Sequence, residues 1–113
     1  MKQYKDTNYF VTTDGMIWSS KTKMFLKGQK TKRGYLQVSI LTPKYKKLLV
    51  HRIVAETYIE NPMNKATVNH KNLDKCDNRV ENLEWLTIKE NLEHAYKNGI
   101  KPGRKKVLYI QLI

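Results

Sequence analysis

At Val50 the apolar pattern of this chain changes period, and that change limits its folds more than any other feature. Upstream the pattern is β-like. Tyr9-Phe10-Val11-Thr12-Thr13 is rich in β-formers and runs into Asp14-Gly15, a two-residue hairpin signal, before Met16-Ile17-Trp18-Ser19-Ser20 returns. Gly34 opens a stretch in which Leu36, Val38 and Ile40 alternate with other residues, as in a half-buried strand. Thr42-Pro43-Lys44 then turns the chain so that Lys46-Lys47-Leu48-Leu49-Val50 pairs back. Downstream, Ile53, Val54, Thr57 and Tyr58 fall at helical spacing, and Asn61-Pro62 stops that helix. The expectation is an α+β fold in which a small antiparallel sheet precedes a helix.

The stretch 67–98 spells a second unit: strand, polar loop, strand, helix. Ala66-Thr67-Val68-Asn69 and Leu83-Glu84-Trp85-Leu86 flank a loop from His70 to Glu81. Thr87-Ile88-Lys89-Glu90 is a capping box, so a helix is predicted from about Ile88 to Asn98, closed by Gly99. Its apolar stripe would be Ile88, Leu92, Ala95 and Tyr96, flanked by Asn91 and His94. Trp85, Tyr58, Leu83 and Leu92 are expected in the core. The division expected is a sheet module over 1–50, the second unit over 51–100 and a basic tail over 101–113.

Charge supplies the first functional clue. The 113 residues carry 22 Lys and Arg against 10 Asp and Glu, a formal +12. The excess is uneven: residues 1–50 hold +9, residues 51–100 hold −1 and residues 101–113 hold +4. Such a balance points to a polyanionic partner, above all nucleic acid. Lys27, Lys30, Lys32 and Arg33 lie in one predicted connection, with Lys44, Lys46 and Lys47 around the next turn, where they suit phosphate contacts. Arg79, Lys71 and Lys75 sit in the polar loop, Arg79 placed to brace a phosphate. One cysteine, Cys76, excludes an intramolecular disulfide and argues against structural zinc; it reads as a loop thiol. No run approaches the roughly 18 apolar residues of a membrane span, and the first residues lack a signal-peptide core. A reducing, intracellular setting is the default expectation.

Polar residues gather in the second unit as phosphodiester hydrolysis would require. That chemistry needs a base for water and a cation for the charge developing on phosphoryl and leaving oxygens. A histidine at a strand end, His70, can be the base. Oxygen-donating side chains beside it and on the facing helix can hold a hard divalent ion. His94 is an alternative ligand one turn from Asn91. His51 reads as structural, and Asn78 as an ordinary loop-former.

The run Val50-His51-Arg52-Ile53-Val54-Ala55, then Val68-Asn69-His70-Lys71-Asn72, then Asp77-Asn78-Arg79-Val80-Glu81-Asn82-Leu83-Glu84-Trp85, then Glu90-Asn91, closely resembles the HNH homing endonucleases common in phages. The stretch 9–19, with Gly34-Tyr35-Leu36-Gln37-Val38, resembles the small β-sheet DNA-binding module that often precedes that nuclease. The resemblance implies a ββα-metal fold holding one Mg²⁺ or Mn²⁺ and acting on double-stranded DNA. It implies that His70 is the general base, that Asn82 orients it, and that Asn69 and Asn91 are the metal ligands. It further implies 5′-phosphate and 3′-hydroxyl products, and a phage protein at work in the host cytoplasm. Where the family often has aspartate before the histidine, this chain has Asn69, and a neutral amide binds Mg²⁺ less well than a carboxylate. A DNA-binding regulator without cleavage is therefore the alternative reading. Residues 101–110 resemble the opening of a further small DNA-binding module, which implies a short footprint. Monomer and homodimer both stay open; one site makes one cut per engagement, so a monomer would nick.

Overall fold

The computed structural model describes residues 1–99; the basic tail expected over 101–113 lies outside them. The chain forms nine short strands and two helices in an α+β arrangement. The strands are β1 (Lys2–Gln3), β2 (Tyr9–Val11), β3 (Ile17–Ser19), β4 (Met24–Phe25), β5 (Gln29–Lys30), β6 (Leu36–Leu41) and β7 (Tyr45–Leu49), then β8 (Thr67–His70) and β9 (Leu83–Leu86); the helices are α1 (Val50–Tyr58) and α2 (Ile88–Lys97).

The single N-terminal sheet expected from the sequence is two sheets, one of four strands (β1–β4) and one of three (β5–β7), while β8 and β9 form a separate hairpin. All pairings are antiparallel. The extra strands β1, β4 and β5 are two residues each and fully exposed, so they left no apolar alternation to read.

The change of period at residue 50 is a change of element, but the packing runs across it. Val11, Ile17, Val38 and Ile40 from the strands join Ile53, Val54, Val68 and Leu83 in one apolar core, with α1 at its centre. Tyr58 and Trp85 pack on its edge, half-buried. Trp85 donates its indole N–H to the Ile59 carbonyl at 2.9 Å, which fastens β9 to the end of α1.

Helix α2 begins at the expected capping box: Thr87 Oγ1 accepts from the Glu90 amide at 3.1 Å and Glu90 Oε1 accepts from the Thr87 amide at 2.9 Å. Its packing departs from expectation. Ile88 and Tyr96, two members of the expected apolar stripe, are exposed, and the buried residue of the helix is Asn91. Leu92, expected in the core, is half-buried outside it. The helix thus meets the β8–β9 hairpin through a polar side chain. Among the described residues no helix is long and apolar enough to cross a membrane.

Candidate active site

The site is built on β8, where successive side chains leave opposite faces. Register places Thr67 opposite Leu86 and Asn69 opposite Glu84 on one face, with Val68 opposite Trp85 and His70 opposite Leu83 on the other. Asn69 and His70, adjacent in sequence, therefore face different surroundings.

His70 is buried among rings. Its imidazole lies 4.8 Å from that of His51 and 6.0 Å from the ring of Tyr35, centroid to centroid, and Tyr35 stacks on His51 at 5.0 Å. His70 Nε2–H donates to Asn78 Oδ1 at 2.8 Å. Because an amide oxygen only accepts, this bond puts the proton on Nε2 and leaves the lone pair on Nδ1. Burial pushes the His70 pKa below the ordinary histidine value, against the Asn78 hydrogen bond and the nearby Asp74 and Asp77. The ring is thus neutral at neutral pH and able to take a proton. Among the described residues the sealed side-chain atom without a hydrogen-bond partner is His51 Nδ1.

The expectation that Asn82 orients His70 is corrected here: Asn78 does. Asn82 is buried and staples the loop instead. Its Oδ1 accepts from the Asn72 amide at 3.1 Å, and its Nδ2 donates to Asn72 Oδ1 at 3.0 Å and to the Asp77 carbonyl at 2.8 Å. Asn78, expected as an ordinary loop residue, is held from beneath by the β2–β3 turn. Gly15 sits at φ +87°, and a Cβ there would lie 2.5 Å from the Asn78 carbonyl oxygen. The Val80 amide also donates to the Thr13 carbonyl at 2.9 Å. Lys75 Nζ donates to the Arg33 carbonyl at 2.9 Å and lies 4.8 Å over the Tyr35 ring. The N-terminal half therefore shapes the pocket of the histidine.

The other face of β8 is polar. Asn69 Nδ2 donates to Glu84 Oε2 at 2.9 Å, and Asn91 Nδ2 donates to Thr67 Oγ1 at 3.4 Å. Thr67 passes its own hydroxyl proton to the Leu86 carbonyl at 2.6 Å. Both amide nitrogens are committed to acceptors on the hairpin, and neither amide oxygen takes part in a hydrogen bond among the described residues. Two such oxygens on one face suit a hard divalent cation. No three His, Cys, Asp or Glu side chains gather as a metal site among the described residues, so the donor set is amide oxygen. His94, the alternative ligand, is half-exposed further along α2.

The expected phosphate contacts divide. Lys27, Lys30, Lys32, Arg33, Lys46, Lys47 and Lys71 are exposed. Register sets Lys47 beside Ser39 on the outer face of the β5–β7 sheet, whereas Lys30 and Lys46 fall on the face of Leu36 and Ile40. Arg79 is already paired, to Asp77 at 2.8 Å and Glu81 at 2.9 Å. That pairing holds the Asp77 carboxyl well below its usual range.

Sequence reasoning missed Asn78, Tyr35, Glu84 and Thr67. The signal for Glu84 was available: it stands three residues before the capping Thr87, so strand register with Asn69 follows once both strands are placed.

Comparison with known proteins agrees with this geometry. Residues 48–93 match the model of a family described as HNH endonuclease. An uncharacterized HNH endonuclease of Acanthamoeba polyphaga mimivirus, L245, is 43% identical over 103 residues, covering 90% of this chain and 31% of that protein. The DNA endonuclease I-HmuI of Bacillus phage SP01 is 34% identical over 93 residues, covering 81% of this chain and 53% of that protein. A solved structure titled as DNA binding and cleavage by the HNH homing endonuclease I-HmuI superposes with a TM-score of 0.83 at 32% identity, over 96% of this chain and 64% of that one. The chain thus spans from under a third to under two thirds of the relatives it resembles. Through residues 48–93, the chain belongs with the HNH endonucleases.

Proposed function

We propose that the chain is a divalent-metal-dependent endonuclease of the homing type that hydrolyses a phosphodiester of double-stranded DNA. The observation that carries this reading is the end of β8: a neutral imidazole whose Nε2–H is committed to Asn78, one residue from an amide that shares a face with Asn91. His70 Nδ1 takes the proton of the attacking water, and Asn78 holds the ring in that tautomer as positive charge develops on it. The rings of Tyr35 and His51 exclude bulk water from the other sides of the imidazole. Asn69 Oδ1 and Asn91 Oδ1 are the atoms that would hold Mg²⁺ or Mn²⁺. When bound, the ion supplies positive charge against the phosphoryl and leaving oxygens. The products are 5′-phosphate and 3′-hydroxyl ends, and a single copy, with one site, nicks. The duplex is held by the exposed cations of residues 1–50, Lys27, Lys30, Lys32, Arg33, Lys46 and Lys47, with Lys71 nearer the cut. The titles of the I-HmuI relatives, which name DNA binding and cleavage, support this substrate, and the phage source supports action in a bacterial cytoplasm.

The test is nicking of supercoiled plasmid in Mg²⁺ or Mn²⁺. His70→Ala is expected to slow nicking about 10²- to 10⁴-fold while DNA binding persists. Equal nicking by both proteins removes His70 from the mechanism. Salt-sensitive binding without nicking by the wild type in either metal would instead mark a DNA-binding regulator, the reading that the neutral Asn69 favours.

A further inference from the structure

Neutral amides are weak ligands for a hard divalent cation, because such ions select charged oxygen. The face of β8 that carries Asn69 and Asn91 has one carboxylate in contact with either of them, Glu84. It is the cross-strand partner of Asn69, and its Oε2 accepts from Asn69 Nδ2 at 2.9 Å. Glu84 is half-buried and forms no ion pair among the described residues. Its negative charge beside the amide is therefore uncompensated by protein. A carboxamide is planar, so fixing its nitrogen end fixes its oxygen end. With Nδ2 turned toward β9, Asn69 Oδ1 is turned away from it.

We infer that Glu84 is the positioning residue of the cation site: it locks the Asn69 amide with its oxygen presented to the ion, and it supplies the negative charge that the two amides lack. This rests on the nuclease reading above, and deepens it. Glu84 acts through Asn69, as hydrogen-bonded carboxylates orient the ligands of metal centres generally. Thr67 does the same for Asn91 by hydrogen bonding alone, without charge.

Mn²⁺ titration monitored by NMR tests this without any cleavage assay. Bound Mn²⁺ broadens nearby signals, and the Asn91 side-chain amide is a reporter present in every variant. In the wild type that signal is expected to broaden before those of exposed asparagines. Glu84→Gln preserves shape and removes charge, and is expected to raise the Mn²⁺ needed for half-broadening about tenfold or more. The double variant Asn69→Asp with Glu84→Gln moves the carboxylate to the other side of the same hydrogen bond and is expected to restore the wild-type response. A purely structural Glu84 would lower the melting temperature in EDTA and show no such rescue. Glu84→Gln broadening at the wild-type concentration, or a double variant no better than the single one, overturns the proposal. If Glu84→Gln does not fold, the double variant decides: a response weaker than wild type by tenfold overturns it. A wild type whose Asn91 amide is untouched by Mn²⁺ sinks the nuclease reading itself, and this inference with it.

Discussion

Asn69 and His70 are neighbours in the chain and opposites in surroundings. His70 lies in a pocket of rings, its one printed polar contact a neutral amide. Asn69 lies on a face of hydrogen-bonded polar groups with a carboxylate against it. The chemistry asks for this contrast. A base is useful while uncharged, and burial keeps it so. A cation ligand needs an oriented oxygen and nearby negative charge, both of which burial among rings would deny. Strand alternation separates the two environments within a single residue step.

The sharpest way to break that comparison is to damage each face alone. Asn78→Ala leaves His70 Nε2–H without its acceptor, and nicking is expected to fall about 10²-fold, with the Mn²⁺ response of Asn91 unchanged. Thr67→Val removes the acceptor of Asn91 Nδ2, and there the Mn²⁺ response is expected to weaken first. If either variant moves both readouts equally, the two faces are one coupled unit and the separation drawn here is wrong.

Gly15 comes next in size. Alanine at φ +87° is strained, and its Cβ would press on the Asn78 backbone, which cannot yield like a flexible side chain. A loss of about 2 kcal/mol or more is expected in urea unfolding, together with slower nicking, because the displaced group is the partner of His70. An unchanged stability would mean that the turn does not seat Asn78.

These contacts explain what the sequence could and could not disclose. The shift of period at Val50, the Asp14-Gly15 turn and the Thr87–Glu90 capping box are local signals, and each marks an element that forms there. The pairing of Asn78 rather than Asn82 with His70 is not local. Both are loop asparagines, and what separates them is a hairpin more than sixty residues upstream pressing under one of them. Tyr35 reaches His70 and His51 through tertiary packing alone, so nothing in the spacing of the motif announces it. The apolar stripe of α2 misled because its period is real while its partner surface is polar: the hairpin offers Thr67, and Asn91 is what meets it.

The aromatic side has a cost in acid. Burial pushes the His51 pKa down to about 3, helped by His70 and Arg52 nearby. An unfolded chain binds that proton near pH 6.5, so below that pH the unfolded state holds more protons than the folded one. Stability present above pH 6.5 is therefore lost as pH falls toward 3, by about 1.4 kcal/mol per pH unit from this side chain. His70, shifted the same way, adds to the slope. In His51→Phe the His51 share is expected to vanish from urea midpoints measured between pH 6 and 4. Parallel slopes for the two proteins would mean that His51 is protonated in the fold.

The smallest effect separates paired from unpaired cations. Arg79 lies in the motif loop, but Asp77 and Glu81 hold its guanidinium, and at an exposed site such pairs contribute about 0–1 kcal/mol to stability. Lys47 stands on the outer face of its sheet with no ion pair among the described residues. Removing a phosphate contact lowers the salt dependence of DNA binding by about one unit of slope. Lys47→Ala is expected to show that drop, and Arg79→Ala a smaller one, because a guanidinium between two carboxylates displaces few counterions. Equal drops would show that the duplex pulls Arg79 out of its pairs, and would place the phosphate backbone directly over the loop that carries Asn78.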